Sequence, residues 1–313
     1  MRLPSIYKTT QRWFCKFCNG CVSSRMMSNI NTTRRDTFRL IFFWTTGCAQ
    51  IFTAHADDGS TMTSTAQVAQ KIMAKLHPMV QLPLSYNYNQ NRQPNQNYTQ
   101  AQFQFDPVIP FLTSERTGFI LNPMFMDNIN AQNQQTRNQA TPLQLATYFA
   151  RTDTDLLYGL GPFIQMPTAN TYGGSQQTGL GASYGLMYQP RHWVIGAIGY
   201  NAWGVGNNRT SGTANVYYVN PTISYTSDNA WTYNLQGWIN GNPTNGKSNN
   251  TNQLMLSAGK TISVGKASVQ WQIGPSYMVT KTPSSPQGWG GFFSLTLAFP
   301  EKGYYIQPQN YSN

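Results

Sequence analysis

The sequence has little charge, and what it has is concentrated at one end. Asp, Glu, Lys and Arg make up 10% of the 313 residues, whereas soluble globular proteins carry about a quarter. Disorder does not explain this, because aromatic residues account for 13% of the chain. Residues 1–56 hold eight basic residues and one acidic residue, and so supply most of the net charge of +11. Basic residues elsewhere are scattered, so we expect no nucleic-acid partner.

Cysteine is absent after residue 48. Three of the four cysteines lie in the segment CKFCNGC, whose spacing occurs in metal sites. No fourth ligand accompanies Cys15, Cys18 and Cys21, so we expect neither a metal site nor a bound cofactor. An exported protein without cysteine relies on neither thiol chemistry nor disulfides.

Residues 34–56, RRDTFRLIFFWTTGCAQIFTAHA, have the order of a secretory signal peptide. A basic segment precedes an apolar one, and the small-residue site Ala54-His55-Ala56 follows, so that cleavage would leave Asp57 first. A membrane anchor is the alternative, but the apolar part is short and interrupted by polar residues. About 30 residues precede the basic segment, which suggests Met26 or Met27 as the true start.

Long apolar runs are absent beyond residue 56, and alternating segments take their place. One segment, Thr65 to Leu76, has the spacing of a helix, with Val68, Ile72 and Leu76 on one stripe. The other segments alternate apolar and polar residues, which is typical of strands with one dry and one wet face. Twelve strands are predicted: 79–88, 98–111, 117–126, 142–150, 155–166, 178–188, 192–204, 213–226, 230–240, 252–262, 267–279 and 289–299.

The predicted connections alternate in length. Odd-numbered connections are long and polar, such as NQNRQPNQN and DNINAQNQQTRNQA, whereas even-numbered ones are short, such as TSER and SDN. This is the pattern of outer-membrane barrels, with short periplasmic turns and longer extracellular loops. We therefore predict an all-β fold: a closed antiparallel up-and-down transmembrane barrel of about 12 strands with a short N-terminal helix. A soluble barrel or sandwich is the alternative.

The predicted organisation has four parts. Residues 1–56 form an N-terminal extension with the signal peptide, and residues 57–77 form a short periplasmic segment or a plug that enters the lumen. The barrel spans residues 78–300 in the bacterial outer membrane, and residues 301–313 form a periplasmic tail. Partners are expected to be outer-membrane lipid, a small-molecule solute and the barrel assembly machinery, and the protein is expected to be a monomer.

Six segments of the predicted barrel form a recognisable set: HPMVQLPLSYNYNQ, FDPVIPF, LLYGLGPFIQMPTA, TISYTSDNAWTYNLQ, GKTISVGKASVQWQIGPSYMV and GWGGFFSLTLAFP. Together they resemble a family of bacterial outer-membrane barrels labelled transporter, meta-pathway phenol-degradation protein or neuromedin U. The resemblance extends over residues 77–300. An acidic loop is replaced here by NTYGGSQQ, and 13 residues follow Pro300. The family label implies uptake of small molecules that include aromatic ones.

Alternation assigns side chains to the two faces of the barrel. Asp106 is the charged residue expected on the lumen face, and Lys260 is expected on the lipid face near the periplasmic end. The predicted lumen-lining residues are Gln81, Ser85, Asn87, Gln102, Gln104, Asp106, Asn220, Thr222, Asn234, Gln236, Gln270 and Gln272. The predicted lipid-facing or interface residues are Phe103, Phe105, Trp231, Trp271, Phe293 and Phe299.

An amide-rich and neutral lumen favours a channel or transporter for small neutral or amphiphilic molecules, because ion-selective pores use rings of one charge. Interlocked amides that simply fill the lumen are the alternative, and would suit a structural, receptor or adhesin barrel. A barrel-embedded lipid hydrolase would need a His base. His77 precedes the first predicted strand, and His192 lies at a predicted periplasmic turn. Neither is near the outer rim, where a lipid substrate would be met, so we expect no catalytic residues.

Overall fold

The structure, a computed structural model, describes residues 64–93, 96–114, 116–132, 135–151, 154–169, 177–206, 214–242, 250–280, 287–299 and 304–305. The predicted signal peptide, all four cysteines and most of the predicted C-terminal tail lie outside these residues. Within the described ranges, no helix is long and apolar enough to cross a membrane.

The described residues form one helix, α1 (Ser64–Met73), followed by strands. Helix α1 is three residues shorter at its C-terminal end than predicted, because Ala74 begins a turn that leads to Pro78. The strands are β1 (Val80–Gln93), β2 (Gln96–Phe105), β3 (Ile109–Leu112), β4 (Thr117–Gln132), β5 (Gln135–Ala140), β6 (Gln144–Arg151), β7 (Leu156–Gln165), β8 (Thr178–Tyr188), β9 (Trp193–Val205), β10 (Val216–Thr226), β11 (Trp231–Gly241), β12 (Thr251–Val264), β13 (Ala267–Met278), β14 (Gly288–Phe299) and β15 (Tyr304–Tyr305).

The strands close into a twelve-stranded antiparallel barrel, as predicted. β2 and β3 are two parts of one barrel strand, and so are β5 and β6, because each pair lies along β4. Each barrel strand pairs with its neighbours in the sequence, and β1 pairs with β14 from Val80↔Phe299 onward to close the ring. β15 adds to β3 in parallel at one rim.

Large apolar side chains cover the outer surface. Alternate residues along the strands are exposed, as at Phe149 (65%), Leu160 (64%) and Trp289 (69%), while their neighbours are buried inside. An apolar outer band of this kind is what a barrel surrounded by lipid requires. A soluble barrel would instead place this apolar parity in its core.

Two predicted long loops are largely strand. β1 and β2 are separated only by residues 94–95, and β4 and β5 only by residues 133–134. The Asn- and Gln-rich composition suggested loops, but the ladder uses backbone groups, which these residues supply as well as any others. A membrane crossing takes about 9 to 11 residues, so the 16 residues of β4 extend the sheet beyond the lipid. We call this the long-connection end and the opposite rim the short-connection end.

The ladder between β2 and β3 is interrupted at Pro107 without a shift in register. Phe105 pairs with Phe125 and Ile109 with Leu121, so equal numbers of residues separate the two pairs on each strand. Continuing this register places Pro107 opposite Pro123, and neither residue has an N–H to donate. The ladder is thus broken at Pro107, whereas Pro110 stays in β3, paired with Ile120.

A side chain replaces the missing ladder bonds at this interruption. The Asn122 Nδ2 donates to the carbonyl oxygens of Asp106 (3.0 Å) and Pro107 (2.9 Å). Asn122→Ala should lower the free energy of unfolding by about 1–3 kcal/mol, because two buried carbonyls lose their donor. Urea unfolding in detergent micelles measures the change. Asn128→Ala on the same strand is the control, because its side-chain oxygen has no partner among the described residues. Equal losses of unfolding free energy in the two variants would contradict the role assigned to the Asn122 side chain.

A true bulge lies between β5 and β6. Ala140 pairs with Asp127 and Gln144 with Met124, so three residues oppose two of β4. The Thr141 Oγ1 donates to the Met126 carbonyl at 2.9 Å, and Pro142 occupies the extra length. One extra residue exchanges the faces of the strand. Odd-numbered residues therefore face inward in β5, and even-numbered residues face inward in β6.

Candidate functional site in the barrel lumen

One half of the lumen wall is a network of side-chain amides and hydroxyls. We call the inward-facing residues of β1, β2 and β10–β14 the amide wall. Asn87 and Gln253 hydrogen-bond reciprocally at 2.9 and 3.1 Å, and the Ser276 hydroxyl lies 3.3 Å from the Asn87 oxygen. Nearer the short-connection end, the Gln272 Nε2 donates to the Gln270 Oε1 at 2.9 Å. Paired amides bind one another, which keeps this wall ordered and uncharged.

The opposite half of the lumen wall carries a buried apolar core beside buried amides such as Asn122 and Gln165, and sequence reasoning missed this core. We call the buried apolar residues on the inward-facing parity of β4 and β6–β9 the apolar wall. Its buried core includes Tyr148, Leu157, Phe163, Ile198 and Tyr200. Two aromatic contacts stack along it: Phe163 on Tyr200, with ring centroids 4.0 Å apart, and Tyr200 on Tyr218 of β10, 5.0 Å apart.

The lumen therefore presents two different surfaces to a solute. Aromatic faces on one side favour flat apolar groups, while side-chain amides on the other side donate and accept hydrogen bonds. An amphiphilic molecule of the right size could satisfy both surfaces at once.

Helix α1 crosses the lumen at the short-connection end. The Gln70 Nε2 donates to the carbonyl oxygens of Pro190 (2.7 Å) and Trp193 (3.0 Å), and Thr65 Oγ1 lies 2.9 Å from Ser263 Oγ. These partners belong to different strand ends of the same rim, so the helix is held across the opening rather than along one strand. Ala66 and Ala69 pack on Ala230, in the β10–β11 turn of the same rim.

In the predicted apolar stripe of the helix, Ile72 and Leu76 are buried and Val68 is half-buried, but the three do not share one surface. Val68 and Ile72 pack with Met79 and Ala298. Leu76, in the turn after the helix, joins the apolar wall. A methyl group added to Gly185 would come within 2.9 Å of Leu76 Cδ1, so the absence of a side chain at Gly185 makes room for Leu76.

An ion pair links the segment after the helix to the barrel wall. The Lys75 Nζ lies 2.6 Å from Asp106 Oδ2, with the two side chains 30% and 6% exposed. Asp106 sits at the interrupted ladder, where the neighbouring backbone is held by Asn122. The predicted charged residue of the lumen thus contacts the predicted helical segment.

The residues that lead from the helix to β1 are also buried. Burial, with a smaller effect of the nearby Lys71 charge, lowers the pKa of His77 to about 3. The Nδ1 of His77 has no hydrogen-bond partner among the described residues. The imidazole is therefore neutral at ordinary pH, which suits a residue packed inside the lumen.

Two cavities occupy the lumen, one above the other. The inner cavity, about 80 Å³, is bounded by Ile72, Met73 and Lys75 and by the amide wall. The outer cavity, about 300 Å³, lies toward the long-connection end between Tyr200, Tyr218 and amide side chains. Trp238 and Gln104 line both cavities, so their side chains mark the boundary between the two. Ligand pockets occupy about 300 to 1,000 Å³, so only the outer cavity reaches that size.

The structure places the predicted lumen residues as follows. Asn87 is buried in the amide network, and Gln102 lines the outer cavity. Gln104 lines both cavities. The other predicted lumen residues line the inner cavity: Gln81, Ser85, Asp106, Asn220, Thr222, Asn234, Gln236, Gln270 and Gln272.

The predicted lipid-facing residues lie on the outer parity. Phe103, Phe105, Phe293 and Phe299 are exposed, between 37% and 44%. Trp231 and Trp271 are half-buried against each other. Trp238, which the alternation had left unassigned, faces the lumen.

Solved structures of outer-membrane barrels share this fold. The COG4313 outer membrane channel from Pseudomonas putida F1 superimposes with a TM-score of 0.53 at 10% identity, covering 71% of this chain and 94% of the channel. The NanC porin gives a TM-score of 0.41 at 10% identity, covering 70% of this chain and 98% of the porin. At such identities the first likeness supports the fold alone, and the second score is too low to add to it.

No protein-family model matches the sequence, and none of the curated proteins matches it. A weaker structural match is the Salmonella typhi outer membrane phospholipase, with a TM-score of 0.34 at 11% identity, covering 74% of this chain and 97% of that enzyme. One fold can host many functions, so fold resemblance does not decide between channel and enzyme, and the site must do so.

Two histidines lie within the described residues, both near the short-connection end. The His192 Nδ1 lies 2.7 Å from the Thr226 carbonyl, and its Nε2 lies 3.8 Å from Asp228. Within the described ranges, neither His192 nor His77 contacts a Ser or Thr hydroxyl. A nucleophile activated by a histidine requires such a contact. In the described part of the chain, no three His, Cys, Asp or Glu side chains are grouped as metal ligands.

Proposed function

We propose that this protein is a channel of the bacterial outer membrane for small neutral or amphiphilic molecules, aromatic ones among them. The outer cavity carries this proposal, because it combines a size suited to a small molecule with an aromatic wall and an amide wall. The COG4313 channel shares the fold, which is consistent with passage through the lumen. In this proposal the short-connection end faces the periplasm and the protein acts as a monomer.

Helix α1 and the turn after it form the plug of this channel in our proposal. Ile72, Met73 and Lys75 bound the inner cavity on the periplasmic side, and the contacts to Pro190, Trp193 and Asp106 hold them there. Passage then requires the plug to move. The helix hydrogen-bonds to the rim through few side chains, so its release leaves the strand ladders intact.

Solute flux into proteoliposomes tests the proposed function. Vesicles containing the protein should swell in small neutral solutes such as phenol glycosides or short sugars faster than protein-free vesicles. Ion conductance in planar bilayers should stay low, because the inner and outer cavities are lined by one ion pair, Lys75 and Asp106, and otherwise by uncharged groups. Absence of solute flux, both in the native chain and in a variant lacking residues 64–76, would exclude the channel and favour a receptor or structural barrel.

Hydrolysis is the second function that the fold allows, and one assay decides it. Detergent-solubilised phospholipid should remain intact with the purified protein. Cleavage that disappears in His192→Ala would instead assign an enzyme.

A further inference from the structure

Three residues form a row across neighbouring strands on the outer surface. Lys260 on β12 pairs with Trp231 on β11 and, on its other side, with Trp271 on β13. Strands two apart are separated by about 9.6 Å, yet the two indole centroids are only 5.8 Å apart, at an interplanar angle of 83°. The rings therefore lean toward each other over the lysine. We call these three residues the Trp-Lys-Trp row.

The ammonium of Lys260 is held at the indole, and no acidic side chain of the described residues pairs with it. Its Nζ lies 5.5 Å from the Trp231 ring centroid, within the range of a cation–π contact. Among the described residues, no carboxylate lies within ion-pairing distance. The ammonium carries three N–H donors, and a ring face on one side leaves donors on its other sides available to an anion.

The height of the row on the barrel selects the kind of anion. Trp231 is the first residue of β11 after a short connection, and Lys260 lies four residues before the end of β12 at the same rim. Exposed Leu256 and Ile262 flank Lys260 along β12 on the outer parity, so the row borders the apolar band. At the edge of that band the neighbouring molecules are lipids with their headgroups level with the row.

We propose that the Trp-Lys-Trp row is a binding site for the headgroup of an anionic phospholipid in the leaflet at the short-connection end. The phosphate accepts hydrogen bonds from the Lys260 ammonium, and the two indoles contact the glycerol and the upper acyl carbons. The inference rests on the proposed membrane location but not on transport, since it concerns the outer surface and the lumen plays no part.

Native mass spectrometry of the protein in detergent, titrated with phosphatidylglycerol, tests this site. Lys260→Gln should weaken the apparent affinity about tenfold, because a charge-assisted hydrogen bond is lost. Lys260→Arg should keep the affinity near that of the native protein. Lys266→Gln is the matched control: it removes one exposed lysine from the adjacent β12–β13 turn, away from the indoles, and should leave binding unchanged. Trp231→Leu removes one indole of the Trp-Lys-Trp row. Its control is Trp289→Leu, which removes an exposed indole elsewhere.

Phosphatidylcholine and inorganic phosphate identify the source of the anion. Phosphatidylcholine should bind more weakly than phosphatidylglycerol and be insensitive to Lys260→Gln, and inorganic phosphate should not compete. Equal affinities of the native and Lys260→Gln proteins for phosphatidylglycerol would overturn the proposal. Equal losses in Lys260→Gln and Lys266→Gln would do so as well, because they would show attraction by general charge. The result does not depend on flux, so a barrel that transports nothing could still pass this test.

Discussion

Lys75→Met should raise the flux of small neutral solutes by tenfold or more. The substitution leaves the carboxylate of Asp106, 6% exposed, without its partner whenever the plug is seated. Leaving one member of a buried pair uncompensated costs about 3 kcal/mol or more, and part of this is relieved here because Lys75 is itself 30% exposed. Each 1.4 kcal/mol corresponds to about a tenfold change in the equilibrium between seated and released plug. Liposome swelling measures the flux.

Lys71→Met is the matched control for the loss of one positive charge from the same helix. Lys71 has no ion pair among the described residues, so its loss should change flux little. A flux through Lys75→Met equal to that through the native protein, together with an unchanged flux after deletion of residues 64–76, would contradict the plug.

A reversible crosslink separates movement of the plug from damage to the barrel. Thr65 Oγ1 and Ser263 Oγ are 2.9 Å apart, and the chain has no cysteine after residue 48. A Thr65→Cys/Ser263→Cys pair in the Lys75→Met background should therefore form one disulfide. Oxidation should return the flux to the native level, and reduction should raise it again. Flux that stays high with the disulfide formed would show a route that bypasses the helix.

Trp238→Ala should widen the range of solutes that pass once the plug is released. The indole stands at the boundary between the inner and outer cavities, and a Trp side chain covers on the order of 200 Å². Its removal joins the two spaces. We expect several-fold faster swelling in the larger solutes of a graded neutral series and a smaller change for the smallest. The measurement is made in the Lys75→Met background, so that the plug does not limit the rate.

Trp203→Ala provides the control for Trp238→Ala. Trp203 is 55% exposed on the outer surface of β9, so its loss removes an indole without altering the lumen. A size preference that changes equally in both variants would show that Trp238 acts through the stability of the barrel.

The barrel could be predicted because the alternation that produces it is visible within each short segment of the sequence. Alternation in segments such as AQFQFDPVIPF determines which residues of a strand share a face. The pattern occurs in twelve segments, and in lipid the edges of such a sheet can all be paired only if the sheet closes into a barrel. Asp106 could be assigned to the wet parity for the same reason. The partner of Asp106 could not be predicted, because Lys75 lies outside the strands and the turn after the helix determines where Lys75 is placed.

The apolar wall could not be predicted from alternation alone. Both parities of β9 are apolar: Trp193, Ile195 and Trp203 face outward, and Ile198 and Tyr200 face inward. Such a strand carries the signal of burial on both faces, which would have indicated the apolar wall. The lumen position of Trp238 was not predicted, because Gly237 beside it interrupts the alternation of apolar and polar residues along β11. The exchange of faces between β5 and β6 depends on one extra residue that no composition reveals.

Closure of the ring between β1 and β14 has a consequence for biogenesis. These are the first and last long strands of the barrel, so the wall cannot be completed until the chain has been made through Phe299. Helix α1 precedes β1 by only a few residues and is bound to the opposite strands. The same joining step that seals the wall therefore encloses the helix, so the finished barrel already contains it.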